Sequence, residues 1–344
     1  MRTLGSVPQL PLAAFKASDV LLQVGPLVLI GACYARRART LTRHAHPQPR
    51  WRATCFYGGL ALMGATLTGL DSPSEELLYA HMIEHLLVGD LAALLIVLGL
   101  TGPLLAPLLR NKLLDRLRAL SHPAIAFPLW TLNLYVWHIP ALYEAALRHP
   151  GIHALEHLMF VGFGVNMWMC LLGPLPTPRW FGNLAKLIYI LAVRLAGTVL
   201  GNIFLWSGTV FYPFYLHGDA AHGISPLADQ NIAGAVMMVE ESIVTLGLFC
   251  WLFLRTARES EERQELLDFA HAHGLQLDEA RAARAAAAGR GADLRRRLVA
   301  QAGDSAAGDG GQDRQLGAVG HGGREPVEKA DVLAGNVDVH EAPQ

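Results

Sequence analysis

The chain has 344 residues, of which 52% are hydrophobic and 17% are charged, and its formal net charge at pH 7 is −1. Soluble domains carry about a quarter charged residues, so this composition argues against a soluble protein. The balanced charge gives no reason to expect a nucleic-acid partner.

Apolar stretches of about 20 residues, the length that spans a bilayer, recur along the chain and predict an all-α, polytopic membrane protein. Seven such stretches lie at about residues 18–36, 51–70, 78–100, 122–142, 152–173, 185–207 and 230–254. We therefore expect a bundle of seven transmembrane helices over residues 18–258, surrounded by membrane lipid.

The basic loops indicate the orientation of these spans, because loops rich in Lys and Arg remain in the cytoplasm. Basic side chains follow the first, third, fifth and seventh stretches, whereas residues 71–77, after the second, contain none. This pattern predicts an N-terminus outside and a C-terminus inside. Residues 1–17 are then a short extracytoplasmic segment.

Beyond the last stretch the composition changes. Residues 259–289 are charged and rich in Ala, which predicts a cytoplasmic helix. Residues 290–344 contain mainly Gly, Ala, Asp and Arg and few bulky apolar side chains. Because such a segment cannot bury enough apolar surface to order itself, we expect a disordered tail.

Five histidines lie near the predicted outer ends of three spans. His81 and His85 are four residues apart, as are His153 and His157, and His138 lies between the two pairs in the sequence. Positions i and i+4 share one face of a helix, so each pair can present two imidazoles to one ion. Their common depth predicts a single metal site built from all five histidines.

Other side chains can support this site. Glu84 and Glu156 each follow a histidine by three residues and can bind the metal or orient an imidazole. Met82 and Met159 could supply soft sulfur for Cu(I), or simply pack. Imidazole suits zinc, copper, iron and nickel alike, and histidines on facing helices can also ligate haem. The i, i+4 pairs favour a bare ion over haem.

Two further groups of polar residues need an explanation. Asp90, Arg194 and Glu240 lie deep in three spans at a similar depth, which predicts an ion pair inside the bundle. The longest outer loop, residues 207–230, is rich in metal-binding side chains and includes Asp229, a candidate for supporting the metal ligands. This loop is either a surface for metal access or docking, or an ordinary polar loop.

A catalytic alternative comes from the glutamates. His-x-x-Glu-His is the inverted zincin signature, in which two histidines bind zinc and the glutamate is a general base. Both copies match it, at residues 81–85 and 153–157. A peptidase needs only one copy with a distal carboxylate ligand, so two copies and His138 fit a multi-histidine site better.

Taken in order, the motifs resemble a known family, the multi-spanning CtaG family of cytochrome c oxidase assembly factors. The resemblance covers about residues 18–255. It is carried by His81-Met-Ile-Glu-His85-Leu-Leu, Gly102-Pro103-Leu104-Leu105, Trp137-His138-Ile139-Pro140-Ala-Leu-Tyr143, His153-Ala-Leu-Glu-His157, and Ser225-Pro-Leu-Ala-Asp229-Gln230 with Gly234. Glu84 departs from the Gln common in the family, and the pair Glu240-Glu241 is not typical of it.

The resemblance implies a role in assembling caa-type haem–copper oxidases of the bacterial plasma membrane, through copper supply. Copper is therefore the expected metal, with zinc or haem as alternatives. The expected partners are a cytochrome c oxidase subunit and an extracytoplasmic copper chaperone. We expect a non-enzymatic assembly factor; an intramembrane zinc peptidase and a haem-binding membrane protein are the rival hypotheses.

Overall fold

The structure, a computed structural model, describes residues 12–44, 47–69, 71–111, 118–175, 177–178 and 180–316. Every regular element in these residues is a helix, which confirms the all-α prediction. The chain divides into two compact units, Met1–Leu254 and Arg255–Gln344. Most of the predicted N-terminal segment, residues 1–11, lies outside the described residues, and the first helix already begins at Leu12.

Twelve helices lie wholly or partly in the described part of the first unit. They are α1 (Leu12–Arg43), α2 (Arg50–Gly69), α3 (Asp71–Glu76), α4 (Leu78–His85), α5 (Ala93–Gly99), α6 (Gly102–Leu109), α7 (Pro123–Trp137), α8 (Pro140–Arg148), α9 (Pro150–Leu172), α10 (Asn183–Trp206), α11 (Leu216–His222) and α12 (Pro226–Ala272). A π-helical turn, Leu86–Ala92, joins α4 to α5 without a break. Short 3-10 turns, Arg118–Ser121 and Pro213–Tyr215, precede α7 and α11.

Four helical segments among the described residues are long and apolar enough to cross a membrane. They are Leu78–Gly99, Pro150–Leu172, Asn183–Trp206 and Pro226–Ala272. These segments coincide with the third, fifth, sixth and seventh predicted spans. The other three predicted spans fall in α1, α2 and α7, and α7 has only 15 residues, fewer than a straight span requires. A bundle of seven spans therefore stays a prediction.

A close crossing of two spans sets the geometry of the unit. A Cβ at Gly164 of α9 would collide with the backbone carbonyl of Gly89 in the π-helical turn. The absence of a side chain at Gly164 therefore lets the two backbones approach this closely. Since His85 and His157 lie only one or two turns from these glycines, the crossing brings the two histidine motifs side by side.

The deep charges form the predicted ion pair. Both terminal nitrogens of Arg194 donate to the Asp90 carboxylate, the Nη2–Oδ1 distance being 3.2 Å. The Trp168 indole donates to Asp90 Oδ1 at 2.8 Å, and Glu240 Oε2 lies 3.8 Å from Arg194 Nη1. Glu241 accepts a hydrogen bond from Thr198 at 2.9 Å. Bidentate pairing of this kind is the usual way to hold an arginine inside a bundle.

The second unit contains the end of α12, then α13 (Glu279–Ala287) and α14 (Gly291–Leu316). The single helix expected over residues 259–289 is instead divided by a turn at Gly274, whose φ is 67°. Disorder from residue 290 onwards is wrong where α14 forms, because Leu294 and Leu298 join a small apolar core. The rest of the predicted tail, residues 317–344, lies outside the described residues.

Candidate metal site

Four of the five predicted histidines meet between α4 and α9. The ring centroids are 4.4 Å apart for His81 and His85 on α4, and 4.3 Å apart for His153 and His157 on α9. Across the two helices, the centroids are 5.5 Å apart for His81 and His153 and 5.1 Å apart for His85 and His157. The i, i+4 spacing in each helix therefore produces one compact block of imidazoles.

The shortest contact in this block joins the two histidines of α4. His81 Nε2 and His85 Nε2 are 2.5 Å apart, which is closer than ordinary hydrogen-bonded nitrogen atoms. A carboxylate oxygen of Glu156 completes a group whose three ligand atoms all lie within 4.8 Å of one another. Two lone pairs held this close need a shared proton or a shared metal ion between them.

The two glutamates pair across the helices. Glu156 Oε1 of α9 is 3.5 Å from His85 Nε2, and Glu84 Oε1 of α4 is 3.5 Å from His157 Nε2. The carboxylates of Glu84 and Glu156 are only 2% and 1% exposed. Each glutamate thus lies beside a histidine of the opposite motif, where it can orient that imidazole or bind the same ion. The sequence spacing did not indicate this cross-pairing.

Several polar atoms of the block have no hydrogen-bond partner in the described part of the chain. They include His85 Nδ1, His157 Nε2 and Glu156 Oε2, all of which are buried. Buried polar atoms are normally satisfied, and the exceptions call for an unseen ligand or a functional reason. A cation held by these lone pairs fits the residues present.

His138 lies beside the block and contributes no atom to the close group of three. It follows the last residue of α7, and its Nδ1 donates to the Leu134 carbonyl at 2.7 Å. That bond fixes the tautomer and leaves the Nε2 lone pair, which has no partner among the described residues. His138 ring contacts are with Tyr143, Phe160 and Phe204. A single ion bound by all five histidines therefore stays a prediction.

The methionines differ in their surroundings. Met82 is 1% exposed and lines a cavity of about 40 Å³ together with His85, His138 and Met237. Met159 is partly buried and packs against the apolar core that contains Met82.

Asp229 supports α4 rather than the imidazoles directly. Its carboxylate accepts hydrogen bonds from the backbone N–H groups of Leu78 at 2.7 Å and Tyr79 at 2.9 Å. Carboxylates stabilise helix N-termini because they satisfy free N–H groups and oppose the positive end of the helix dipole. Asp229, which is 1% exposed, thereby fixes the first turn of the helix that carries His81.

The loop of residues 207–230 packs over the site. Tyr212 donates to the His138 carbonyl at 2.8 Å and stacks on Tyr143 at 4.0 Å between centroids. Tyr215 shares a hydrogen bond of 3.0 Å with Tyr143, whose ring lies 5.1 Å from that of His81. The sequence pattern alone does not indicate that these tyrosines belong to the site. The available signal was their placement, Tyr143 within the His138 motif and the other two in an aromatic stretch of the loop.

Burial and a neighbouring acid raise the pKa of one carboxyl group in this loop. Asp219 is 2% exposed, and desolvation, followed by its hydrogen bond to Asp229 and the charge of that carboxylate, raises the pKa of Asp219 to about 7. A protonated Asp219 can donate to Asp229, which in turn caps α4. The two histidines of this loop lie outside the imidazole block. His222 is 3.5 Å from Glu76, and His217 is exposed.

Comparison with known proteins gives the family. A family model described as cytochrome c oxidase caa3 assembly factor (Caa3_CtaG) matches residues 32–259. The chain belongs to this family. The match to Caa3_CtaG confirms the family that the ordered histidine motifs resemble, and it ends close to the first residues of the second unit.

Curated proteins that match this Caa3_CtaG protein have low sequence identity to it. Uncharacterised proteins of Mycobacterium bovis and Mycobacterium tuberculosis are each 23% identical over 266 residues, which is 72% of this chain and 40% of theirs. One from Mycobacterium leprae is 22% identical over 272 residues, 73% of this chain and 41% of its own. The chain thus spans about 40% of the length of these relatives. No solved structure matches.

Proposed function

We propose that His81, His85 and Glu156 bind copper, with His153 and His157 completing the site. The observation that supports this proposal best is the convergence of two imidazole nitrogens and a carboxylate oxygen within 4.8 Å in a fully buried place. Unpartnered lone pairs in an apolar interior are costly, and a cation bound to them would remove that cost.

Copper is favoured over other ions by the family rather than by the donor atoms, because imidazole binds copper and zinc alike. Haem–copper oxidases need copper for their assembly, and this chain belongs to a family of cytochrome c oxidase assembly factors. A site of imidazoles and carboxylates releases copper more readily than a closed thiolate cage would. These properties suit transfer rather than storage.

The proposed role is to receive copper in the outer half of the membrane and to pass it to a cytochrome c oxidase subunit. An extracytoplasmic copper chaperone is the proposed donor. Within this role, Asp229 holds the first turn of α4 in place, and Glu84 orients the imidazole of His157 on the opposite helix. When bound, the copper ion is the cargo of the protein.

A zinc peptidase is the second candidate, because two histidines and a glutamate are also the ligands of many zinc hydrolases. Its proposed general base would be Glu84. Two features weigh against it. Glu84 is 2% exposed, and the cavity lined by His85 holds about 40 Å³, which is too small for a peptide. Haem fits less well, since the imidazoles pack directly on one another with no gap for a porphyrin.

Metal analysis of the purified chain tests the proposal. The protein in detergent, loaded with Cu(I) under reducing conditions and then desalted, should retain copper. The double variant His81→Ala, His85→Ala should lose at least one equivalent, whereas His217→Ala, in the outer loop, should lose none. Retention of all the copper by the double variant would refute this site.

Conservative variants of the glutamates separate delivery from catalysis. Glu84→Gln should lower copper affinity by about 10–100-fold, the usual effect of removing a group that orients a ligand. Cells carrying this variant should then assemble active oxidase when the medium is rich in copper. A peptidase would lose its general base, so complete loss of oxidase at every copper level, with metal still bound, would favour catalysis.

A further inference from the structure

A second group of metal-binding side chains lines a cavity that His85 also borders. The cavity of about 40 Å³ is lined by side chains of α4, the π-helical turn, α7, α9 and α12. We call it the thioether cavity, because the sulfur-bearing side chains Met82 and Met237 line it together with His85 and His138. A cavity of this volume holds one ion or a few water molecules.

The donors of this cavity are available for a ligand. His138 is 9% exposed, and its Nε2 has no hydrogen-bond partner in the described residues, while its Nδ1 donates to Leu134. Met82 and Met237 are 1% and 3% exposed. An imidazole nitrogen and two thioethers form a soft set that selects Cu(I) over zinc and over alkali or alkaline-earth ions.

Carboxyl groups border the cavity as well. Asp90 and Glu241 also line it, and Glu240 lies beside them. Arg194 is the basic side chain that contacts Asp90 and Glu240. Three carboxyl groups and one guanidinium therefore line or adjoin the cavity. A cation bound beside a carboxyl group stabilises the ionised form of that group, so these acids can supply the negative charge that matches a monovalent ion.

We propose that the thioether cavity is a second copper position, specific for Cu(I), with His138 Nε2 and the sulfurs of Met82 and Met237 as ligands. The inference rests on the proposed function and extends it, since His85 borders both the imidazole block and the cavity. Copper can then move between the two positions by remaining bound to His85 while its other ligands are exchanged, with no change of oxidation state.

Metal titration of the full chain in detergent tests this inference, with Cu(I) under reductant and with Zn(II) as the probes. Wild-type protein should bind two equivalents of Cu(I) but one of Zn(II), and X-ray absorption of the copper form should show sulfur neighbours. The double variant Met82→Leu, Met237→Leu should lose one equivalent of Cu(I) and the sulfur signal, and keep its zinc. His138→Gln should also lose one equivalent of Cu(I).

Met167→Leu is the matched control, because Met167 is 1% exposed but lies in a different apolar core. It should bind two equivalents, and leucine in place of methionine is well tolerated in cores. One equivalent of Cu(I) in wild type, unchanged in the double methionine variant, would overturn the thioether site and leave the proposed function intact. If His81→Ala, His85→Ala keeps all its copper, the proposed function itself fails.

Discussion

Two clusters of buried polar side chains lie along the same span, and their difference is instructive. Both oxygens of the Asp90 carboxylate have strong partners: Arg194 forms a bidentate pair with it, and Trp168 donates to the same carboxylate, while the neighbouring Glu240 lies 3.8 Å from Arg194. Around His85, four imidazoles and two carboxylates crowd together, and several atoms of the cluster, among them His85 Nδ1 and Glu156 Oε2, have no hydrogen-bond partner in the described residues. A satisfied cluster stabilises a fold, whereas buried polar atoms without partners need an explanation, and the proposed copper site supplies one.

The largest expected effect comes from breaking the satisfied cluster. Arg194→Leu leaves Asp90 buried without its partner, so we expect a loss of about 3–5 kcal/mol in the free energy of unfolding. Adding Asp90→Asn should restore part of that stability. Thermal unfolding in detergent measures both changes.

Arg148→Leu provides the comparison for this experiment. Arg148 pairs with Glu144 at 2.6 Å, but its side chain is 59% exposed. An exposed pair is worth about 0–1 kcal/mol, so this variant should unfold at nearly the wild-type temperature. If Arg194→Leu were no less stable than Arg148→Leu, the paired cluster would have no structural role.

The next effect concerns the crossing that creates the unsatisfied cluster. Gly164→Ala places a methyl group against the Gly89 carbonyl, so α9 must move away from the π-helical turn. We expect a cost of about 1–3 kcal/mol in stability, typical of overpacking, and weaker copper binding because the two imidazole pairs separate. Gly162→Ala is the control, since a Cβ there meets nothing within 4 Å. Equal copper affinity in the two variants would argue against the crossing as the determinant of the site.

The sequence was sufficient for the parts of the site that depend on local geometry. The i, i+4 spacing of His81 and His85 places both rings on one face of α4, and the similar depth of Asp90 and Arg194 correctly predicted their ion pair. Both conclusions use only the pitch of a helix and the cost of an unpaired charge in a bilayer.

Features that depend on how distant helices meet could not be predicted. Asp229 caps α4 across 151 residues of sequence, and the cross-pairing of Glu84 with His157 requires the Gly89–Gly164 crossing. The order of α14 depends on a small apolar core that Leu294 and Leu298 complete, and composition alone gave no indication of that core. Each case involves a tertiary contact that overrides the local pattern.

The smallest expected effect tests whether the loop of residues 207–230 supports the unsatisfied cluster through Asp219. Burial and the adjacent Asp229 raise the pKa of Asp219 to about 7, so the folded protein binds this proton more tightly than the unfolded chain does. The bound proton of Asp219 therefore makes its full contribution to stability below about pH 4, the ordinary carboxyl pKa. This contribution is lost as the pH rises through about 7. Asp219→Asn keeps the neutral form that the fold prefers, so it should remove this loss.

Thermal unfolding of both proteins in detergent from pH 4 to pH 9 gives the measurement. The unfolding temperature of Asp219→Asn, relative to wild type, should rise across the interval from about pH 4 to about pH 7 and stay level above it. Hydrogen exchange at the backbone amides of Leu78 and Tyr79, which Asp229 binds, should accelerate with pH in wild type more than intrinsic exchange requires, and less so in the variant. A temperature difference that is constant from pH 4 to pH 9 would show that Asp219 does not couple the loop to α4. The first turn of α4 would then depend on the Asp229 carboxylate alone.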